Sequence, residues 1–183
     1  MSNNNQSAII TEKLNKDHYD TEISNESNVN VNLEQLVTFK VDQEIYGLEI
    51  LKIQEIVRLP VITRLPKTSS FIKGVINLRG NIVPVIDLRD KFGLPQKKYT
   101  KMTRAIVVEI KAKNIALIVD EVSQVLRINM SEISEAPSLV SNIAKEFIKG
   151  VARHGEKLII LLKMDKILSS DDVVEIEKIN ENI

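Results

Sequence analysis

The sequence predicts a mostly β protein built from two small five-stranded barrels, of the SH3 or OB kind, that arose by internal duplication. Three observations support this prediction. The pentapeptide FIKGV occurs at residues 71–75 and again at residues 147–151. Segments in which apolar and polar residues alternate, a pattern typical of strands, lie on both sides of each copy. Each half of the chain holds about five short segments of this kind, which is the strand content of a small barrel.

The repeat extends beyond the pentapeptide. Residues 47–58 (GLEILKIQEIVR) have the same pattern as residues 116–127 (ALIVDEVSQVLR), 69 positions later. Ile53 and Val122 therefore hold equivalent positions, and a pseudo-twofold axis would bring both to one cleft. Two copies are too few for a solenoid, so the duplication favours a paired domain.

The ordered part of the chain is expected to begin near residue 36. Val37, Phe39 and Val41 alternate with polar residues and predict a strand, and residues 45–50 predict its hairpin partner. Residues 51–58 fit either a strand or a helical turn, and their β-branched side chains favour a strand.

The repeated pentapeptide is interpreted as the end of a short helix. In the first copy we expect a helix at Phe71–Lys73 that ends at Gly74 in the left-handed conformation. In the second copy Ser141 or Asn142 is the expected N-cap and Gly150 the expected terminator. Pro84, in the apolar segment that follows the first copy, indicates an edge strand or a bulge.

The termini differ from the body in composition. Residues 1–33 are rich in Asn and Ser and are expected to be a disordered tail, because they cannot bury enough apolar surface to offset their ordering entropy. Residues 170–183 are expected to form an amphipathic C-terminal helix or tail. The domain between them, residues 34–169, divides into subdomains at about 36–99 and 102–169, either separate or intertwined.

Charge is uneven although the net charge is zero. Residues 1–36 carry two lysines against six acids, and residues 170–183 carry one lysine against five acids, so each end has a net charge of −4 and the middle +8. A basic centre is compatible with an anionic partner or with acidic tails that shield the body.

Composition and motifs argue against an enzyme. The chain has no cysteine, which excludes a disulfide framework, a thiolate metal site and a cysteine nucleophile. Its two histidines, His18 and His154, have no second ligand at a metal-binding spacing, and no phosphate-binding or nucleophile motif occurs. We therefore expect a binding protein without catalytic, metal or cofactor residues. No apolar leader or membrane-length segment is found, so we expect a soluble, cytoplasmic protein.

One stretch resembles a known family. The motifs Asn77-Leu78-Arg79-Gly80 and Asp87-Leu88-Arg89, preceded by the segment at residues 46–56, closely resemble the CheW family of coupling proteins in bacterial chemotaxis. The resemblance covers about residues 36–168 and implies two five-stranded SH3-like barrels, in agreement with the duplication. The same fold occurs in the regulatory domain of the histidine kinase CheA and in CheV.

What the resemblance implies is a non-enzymatic adaptor, without cofactor, that links the cytoplasmic tip of chemoreceptors to the CheA regulatory domain. The receptor tip is a helical hairpin, which is expected to lie in an apolar groove between the barrels. The adaptor would meet the membrane only through the receptors, at the inner face where receptor arrays form. The implied receptor contacts, with Val122 added as the equivalent of Ile53, are Ile50, Ile53, Glu55, Arg79, Val122 and Val125, and the implied kinase contact is Leu139.

Several alternatives stay open at this point. Ile53 belongs either to the core or to the partner surface, and Arg79 either contacts a partner or forms an ion pair with Glu55. An adaptor of a CheA-type kinase in a pathway other than swimming fits the same residues. A small barrel that binds single-stranded nucleic acid is a further class, although such proteins use exposed aromatic platforms and this chain is only 4% aromatic.

Overall fold

Ten strands and three helices make up the part of the chain that the computed structural model describes, residues 32–135 and 145–181. The helices are α1 (Leu88–Lys91), α2 (Met164–Ile167) and α3 (Ser170–Glu181). Short 3-10 turns occupy Ile50–Lys52, Met130–Glu132 and Lys145–Phe147. The strands are β1 (Leu33–Val41), β2 (Glu44–Glu49), β3 (Ile53–Arg58), β4 (Ile72–Leu78), β5 (Asn81–Asp87), β6 (Arg104–Ile110), β7 (Lys113–Val119), β8 (Glu121–Asn129), β9 (Ile148–His154) and β10 (Lys157–Leu162).

The two repeats exchange their first hairpins. Sheet A has the strand order β8-β1-β2-β10-β9, and sheet B has the order β3-β6-β7-β5-β4. The β1–β2 hairpin of the first repeat therefore completes the sheet of the second repeat, and the β6–β7 hairpin does the reverse. Each exchanged hairpin joins its host by a parallel pair, β2 with β10 and β7 with β5. Residues 36–99 and residues 102–169 each contribute strands to both sheets.

The predicted fold class is confirmed: the protein is mostly β, with two five-stranded sheets related by duplication. The sheets are not closed barrels. Among the described residues, the segment after one edge strand of each sheet meets the opposite edge strand only at an isolated bridge, Thr63 with Val75 in sheet B and Ser134 with Val151 in sheet A. These bridges occupy corresponding places in the two repeats.

Alternation along the strands builds three layers of core. In β6, Ala105 and Val107 face a small cluster inside sheet B, whereas Ile106 and Val108 face a larger cluster that contains side chains from both sheets. Sheet A has an inner cluster of its own around Leu36. We call the larger cluster the shared core. Because it takes side chains from both sheets and from α3, neither sheet can bury its outer face alone.

The expected helix at Phe71–Lys73 is wrong. Residues 72–78 form strand β4, and the glycine serves a different purpose. A β-carbon on Gly74 would overlap the carbonyl of Thr63, and Gly74 has a φ of 134°. A β-carbon on Gly150 would lie 2.8 Å from the carbonyl oxygen of Ser134. The repeated glycine therefore allows the close backbone approach at the bridge that links the sheet edges.

Of the remaining expectations, some agree with the structure and others do not. The strand expected within residues 51–58 begins at Ile53, after a 3-10 turn. Pro84 lies on neither an edge strand nor a bulge, because β5 is internal to sheet B and the local bulge is in β4, after Ile72. The proline is tolerated because pairing of β5 with β7 begins one residue later. The C-terminal helix is confirmed, with reciprocal capping bonds between Ser169 and Asp172. The caps expected at Ser141 and Asn142 lie outside the described residues.

Replacing Gly74 with alanine is expected to lower the free energy of unfolding by about 2–4 kcal/mol, because the new methyl group cannot avoid the Thr63 backbone. Gly93→Ala is the matched control. Gly93 also has a positive φ, of 70°, but no atom lies within 4 Å of its β-carbon position, so only the conformational cost of about 1 kcal/mol is expected. Urea unfolding measures both changes, and equal losses would contradict the close-approach explanation.

Candidate functional site

The two edge strands β3 and β8 carry the residues predicted to bind a partner, and both strands have the same irregularity. A β-bulge lies after Ile53 in β3 and after Val122 in β8. A bulge changes the direction of the side chains that follow it. Val57 and Leu126, beyond the bulges, therefore face the inner clusters, whereas Ile53 and Val122 pack against the shared core.

Beyond its bulge each strand presents an aliphatic side chain on the face opposite the inner cluster. Ile56 is 39% exposed and Val125 is 54% exposed, and the two are equivalent through the 69-residue repeat. We call Ile53 with Ile56, and Val122 with Val125, the paired edge strips. In each strip a half-buried residue is continuous with the shared core and an exposed one is available to a partner. Ile53 is therefore partly core and partly surface, which lies between the two alternatives that the sequence left open.

Ile50 lies in the 3-10 turn that precedes β3, where it is partly buried. Its neighbour Leu51 is 92% exposed. An almost fully exposed leucine beside a predicted contact residue extends the apolar surface of the first strip, and exposed apolar clusters of this kind mark interaction sites.

Glu55 and Arg79 form the ion pair that the sequence left as one alternative. The Arg79 guanidinium lies 3.1 Å from a Glu55 carboxylate oxygen, while the Arg79 side chain stays 84% exposed. Arg79 and Gly80 both have positive φ, as in the two-residue turns that close twisted hairpins, and Asn77 accepts a hydrogen bond from the Gly80 amide. The turn holds the charged group away from the sheet, so the ion pair leaves Arg79 open to solvent.

Sequence reasoning missed several exposed aliphatic positions. Leu51 and Ile56, described above, are two of them, and Ile82 and Leu158 are each 38% exposed on β5 and β10. These last two are equivalent through the 76-residue spacing of the pentapeptide, so the duplication held the signal that could have found them. Leu139, the predicted kinase contact, lies outside the described residues.

The Asp87-Leu88-Arg89 motif is structural. Arg89 is 5% exposed, and its guanidinium donates to Asp120 at 2.6 Å, to Asp42 at 3.1 Å and to the Pro95 carbonyl at 2.9 Å. It therefore ties the β1–β2 turn, the β7–β8 junction and the inter-repeat linker together. Asp87 caps α1 through the Arg89 amide.

Electrostatics follow from this geometry. Burial alone would raise the pKa of Asp120, but the hydrogen bonds from Arg89 and from the Asp42 amide, together with the Arg89 charge, hold that pKa below its ordinary value. Burial raises the pKa of Asp87, although its hydrogen bond from the Tyr99 hydroxyl, at 2.8 Å, opposes the rise. Asp87 thus binds the linker through Tyr99, and Asp120 holds Arg89, which binds the Pro95 carbonyl of the linker.

Within residues 32–135 and 145–181, no group of three or more His, Cys, Asp or Glu side chains is arranged to hold a metal ion. No helix among the same residues is long and apolar enough to span a membrane. Among the aromatic side chains of the same residues, Tyr99 is the most exposed, at 43%.

Two interleaved sheets with an aliphatic strip on an edge strand of each define a β-sheet domain suited to protein–protein contact. The chain belongs to the CheW-like domain family, whose model matches residues 35–172. It is 38% identical to the chemotaxis protein CheW of Klebsiella aerogenes, over 80% of this chain and 88% of that protein. It is 34% identical to the chemotaxis protein CheW of Helicobacter pylori, over 75% and 82%. The crystal structure of the scaffolding protein TtCheW from Thermoanaerobacter tengcongensis matches with a TM-score of 0.71 and 36% identity, over 81% of this chain and 96% of that one.

Replacing Asp120 with asparagine is expected to lower the free energy of unfolding by about 1–3 kcal/mol at pH 7, because buried Arg89 loses its shortest ionic partner. A carboxylate whose pKa is depressed in the folded state stabilises it above the unfolded value, and this stabilisation is lost as pH falls through the folded pKa. The difference from the natural chain should therefore shrink below about pH 4.

Urea unfolding at pH 7, 4 and 2.5 measures this difference. Asp171→Asn, at an exposed position in the first turn of α3, is the control for removing one carboxylate. A difference that stays constant down to the lowest pH would contradict the proposed role of the Asp120 charge.

Proposed function

We propose that this chain is a non-enzymatic adaptor that couples chemoreceptors to the histidine kinase CheA in bacterial chemotaxis signalling. The observation that carries the proposal is the pair of edge strips, which gives one domain two related apolar contact surfaces. The names of its relatives, chemotaxis protein and scaffolding protein, support the same conclusion.

The receptor is proposed to contact the edge strips. A helical hairpin offers apolar side chains three and four residues apart, which suits a narrow apolar surface flanked by polar groups. Ile53 and Val122 would form the inner part of this surface, and Ile50, Ile56 and Val125 the accessible part. Glu55 would hold the Arg79 guanidinium, which then donates its remaining hydrogen bonds to the receptor.

We propose that the kinase contacts the exposed first residues of β5 and β10. Ile82 and Leu158 are equivalent exposed side chains on different sheets, so a like-folded regulatory domain could meet either sheet by a heterologous contact. Leu139 remains part of this proposal. The protein would act in the cytoplasm and reach the inner face of the membrane through the receptors it binds.

A nucleic-acid-binding function has less support. The described aromatic side chains Phe39, Tyr46, Phe92 and Phe147 stack on one another in or beside the shared core. They are therefore unavailable as platforms for bases. The receptor and kinase contacts proposed above would equally serve an adaptor of a CheA-type kinase in another pathway.

The direct test mixes the purified chain with a CheA regulatory domain and a receptor cytoplasmic fragment and separates the mixture by size-exclusion chromatography. The expected result is a complex that contains all three components. Binding of only one partner, or of neither, would contradict the adaptor function.

Val125→Asp is expected to weaken binding of the receptor fragment about tenfold or more, because a charge must then be buried against an apolar partner. Val174→Asp is the matched control, since Val174 is similarly exposed, at 47%, but lies on α3 away from the strips. Isothermal titration calorimetry measures both affinities, and circular dichroism checks the fold. Equal affinities for the two variants would argue against the second strip.

Arg79→Asn and Glu55→Gln together distinguish a receptor contact from a purely structural ion pair. Each substitution breaks the pair, and because Arg79 is largely exposed each should change the free energy of unfolding by at most about 1 kcal/mol. Asparagine also tolerates the positive φ of the turn. We expect Arg79→Asn to weaken receptor binding more than Glu55→Gln does, whereas equal and small losses would assign Arg79 a structural role.

A further inference from the structure

A cleft of about 410 Å³ lies at the 3-10 turn that leads into the first edge strip. Glu49, the N-cap of this turn, and Lys52, its last residue, line the cleft, and Ile50 lies between them in the chain. Leu162 and Met164, both buried, contribute its apolar lining. The lysines that line the cleft come from the turn, from β9, from the β10–α2 junction and from α2, and they are Lys52, Lys149, Lys163 and Lys166.

Only one of these lysines is neutralised within the part of the chain that the structure describes. Lys149 lies 2.5 Å from a Glu49 carboxylate oxygen and 3.7 Å from Glu34. Partial burial alone would lower the pKa of Lys149, but these two carboxylates raise it overall, so the group stays charged. The side chains of Lys52, Lys163 and Lys166 have no ion pair or hydrogen bond among residues 32–135 and 145–181, and Asp165 is the one other acid that lines the cleft.

The duplication provides an internal reference for this charge. Strands β4 and β9, and helices α1 and α2, correspond at a separation of 76 residues. The structure keeps the correspondence in detail, because the Asp87 amide donates to the Phe71 carbonyl and the Lys163 amide donates to the Phe147 carbonyl. Residues 87, 89 and 90 can therefore be compared directly with residues 163, 165 and 166.

In the first repeat the acids at these positions serve the fold. Asp87 accepts the hydrogen bond that caps α1, and Asp90 forms an ion pair with Lys73. In the second repeat the positions of both acids are occupied by lysines, Lys163 and Lys166. The three compared positions change from a net charge of −1 (Asp, Arg, Asp) to +1 (Lys, Asp, Lys).

These replacements remove local stabilisation. Lys163 is at the N-cap position of α2 but cannot accept a hydrogen bond, and α2 has no side-chain cap. Lys166 takes the place of the acid that would pair with Lys149, which instead binds glutamates from β1 and β2. Positions where a sequence departs from local structural preference, without a compensating contact, are those where a function is expected.

We propose that this lysine cleft binds carboxylate side chains of an acidic α-helical segment, and that this segment belongs to the receptor tip. The inference rests on the proposed function. Two observations select this occupant: the unpaired positive charge of Lys52, Lys163 and Lys166, and the position of Ile50, a proposed receptor contact, between the cleft residues Glu49 and Lys52. An amphipathic helix whose apolar face lies on the strip would present its flanking acids to the lysines. Attraction between these charges also predicts faster association at low salt.

The test compares two double variants of the full chain that change the net charge equally. Lys163→Glu with Lys166→Glu reverses the cleft, and Lys98→Glu with Lys111→Glu reverses exposed lysines elsewhere. Binding of a receptor cytoplasmic fragment is measured by titration calorimetry at 50 and 500 mM NaCl, conditions between which screening changes strongly. The cleft variant is expected to bind about tenfold more weakly at low salt and to lose its salt dependence, and the control should bind like the natural chain.

Replacement of the fragment's acidic residues by lysine, one at a time, provides the reciprocal experiment. Restored binding of one such fragment to the cleft variant would assign the contacting carboxylate. If the natural chain binds the fragment and both double variants bind equally well, the lysine cleft is not a contact and the inference fails while the adaptor function stands. If the natural chain does not bind the fragment at either salt concentration, the adaptor function and the inference fail together.

Discussion

The shared core between the two sheets is the constraint on which the rest of this structure depends. It is filled from both sheets at once, because alternate residues of strands such as β6 point to opposite sides. The exchanged hairpins reinforce it, since each sheet contains a hairpin covalently attached to the other repeat. The relative position of the two edge strips is therefore set by packing and not by a linker. If one receptor hairpin contacts both strips, as proposed, their fixed separation presents it with a single geometry.

The duplication separates structural residues from functional ones. Two features that both repeats retain, the glycine at each bridge and the bulge in each edge strand, have a packing explanation. The aliphatic residue retained in each strip is exposed, and features that differ between the repeats are further candidates for specific roles. Arg89 is buried among carboxylates and ties the linker to both hairpins, whereas its equivalent Asp165 is exposed at the lysine cleft. One ancestral position has thus acquired a structural role in one repeat and a surface position in the other.

Much of the fold could be predicted from the sequence because its signals are local. Alternating residues predicted β1 and β2, and the repeat predicted two equivalent sheets. The helix predicted at Phe71 failed because Gly74 is equally suited to a helix end and to a close backbone approach, and the deciding contact, with Thr63, is made by the tertiary fold. The bulges were likewise invisible, because the unpaired residue, Gln54 in β3, is defined only by the pairing with β6.

For the candidate site, too, some features could be predicted from the sequence and others could not. The family motif drew attention to Arg89, which the structure buries, and to Arg79, which it exposes. Gly80 marks a turn at Arg79, but nothing local in the sequence predicts that Arg89 is buried, because its partners Asp120 and Asp42 are distant along the chain. Ile56 was missed since a strand pattern alone does not reveal which end of an edge strand is covered.

Native-state hydrogen exchange tests the central claim, that the interleaved sheets form one cooperative body. The account predicts that the slowest amides of β1 and β2 in sheet A and those of β6 and β7 in sheet B exchange with the same free energy of opening, equal to that of global unfolding. Protection in one sheet that is clearly lower than in the other, with the second still folded, would show that the sheets open independently. That result would contradict the claim that the shared core fixes the relative position of the two edge strips.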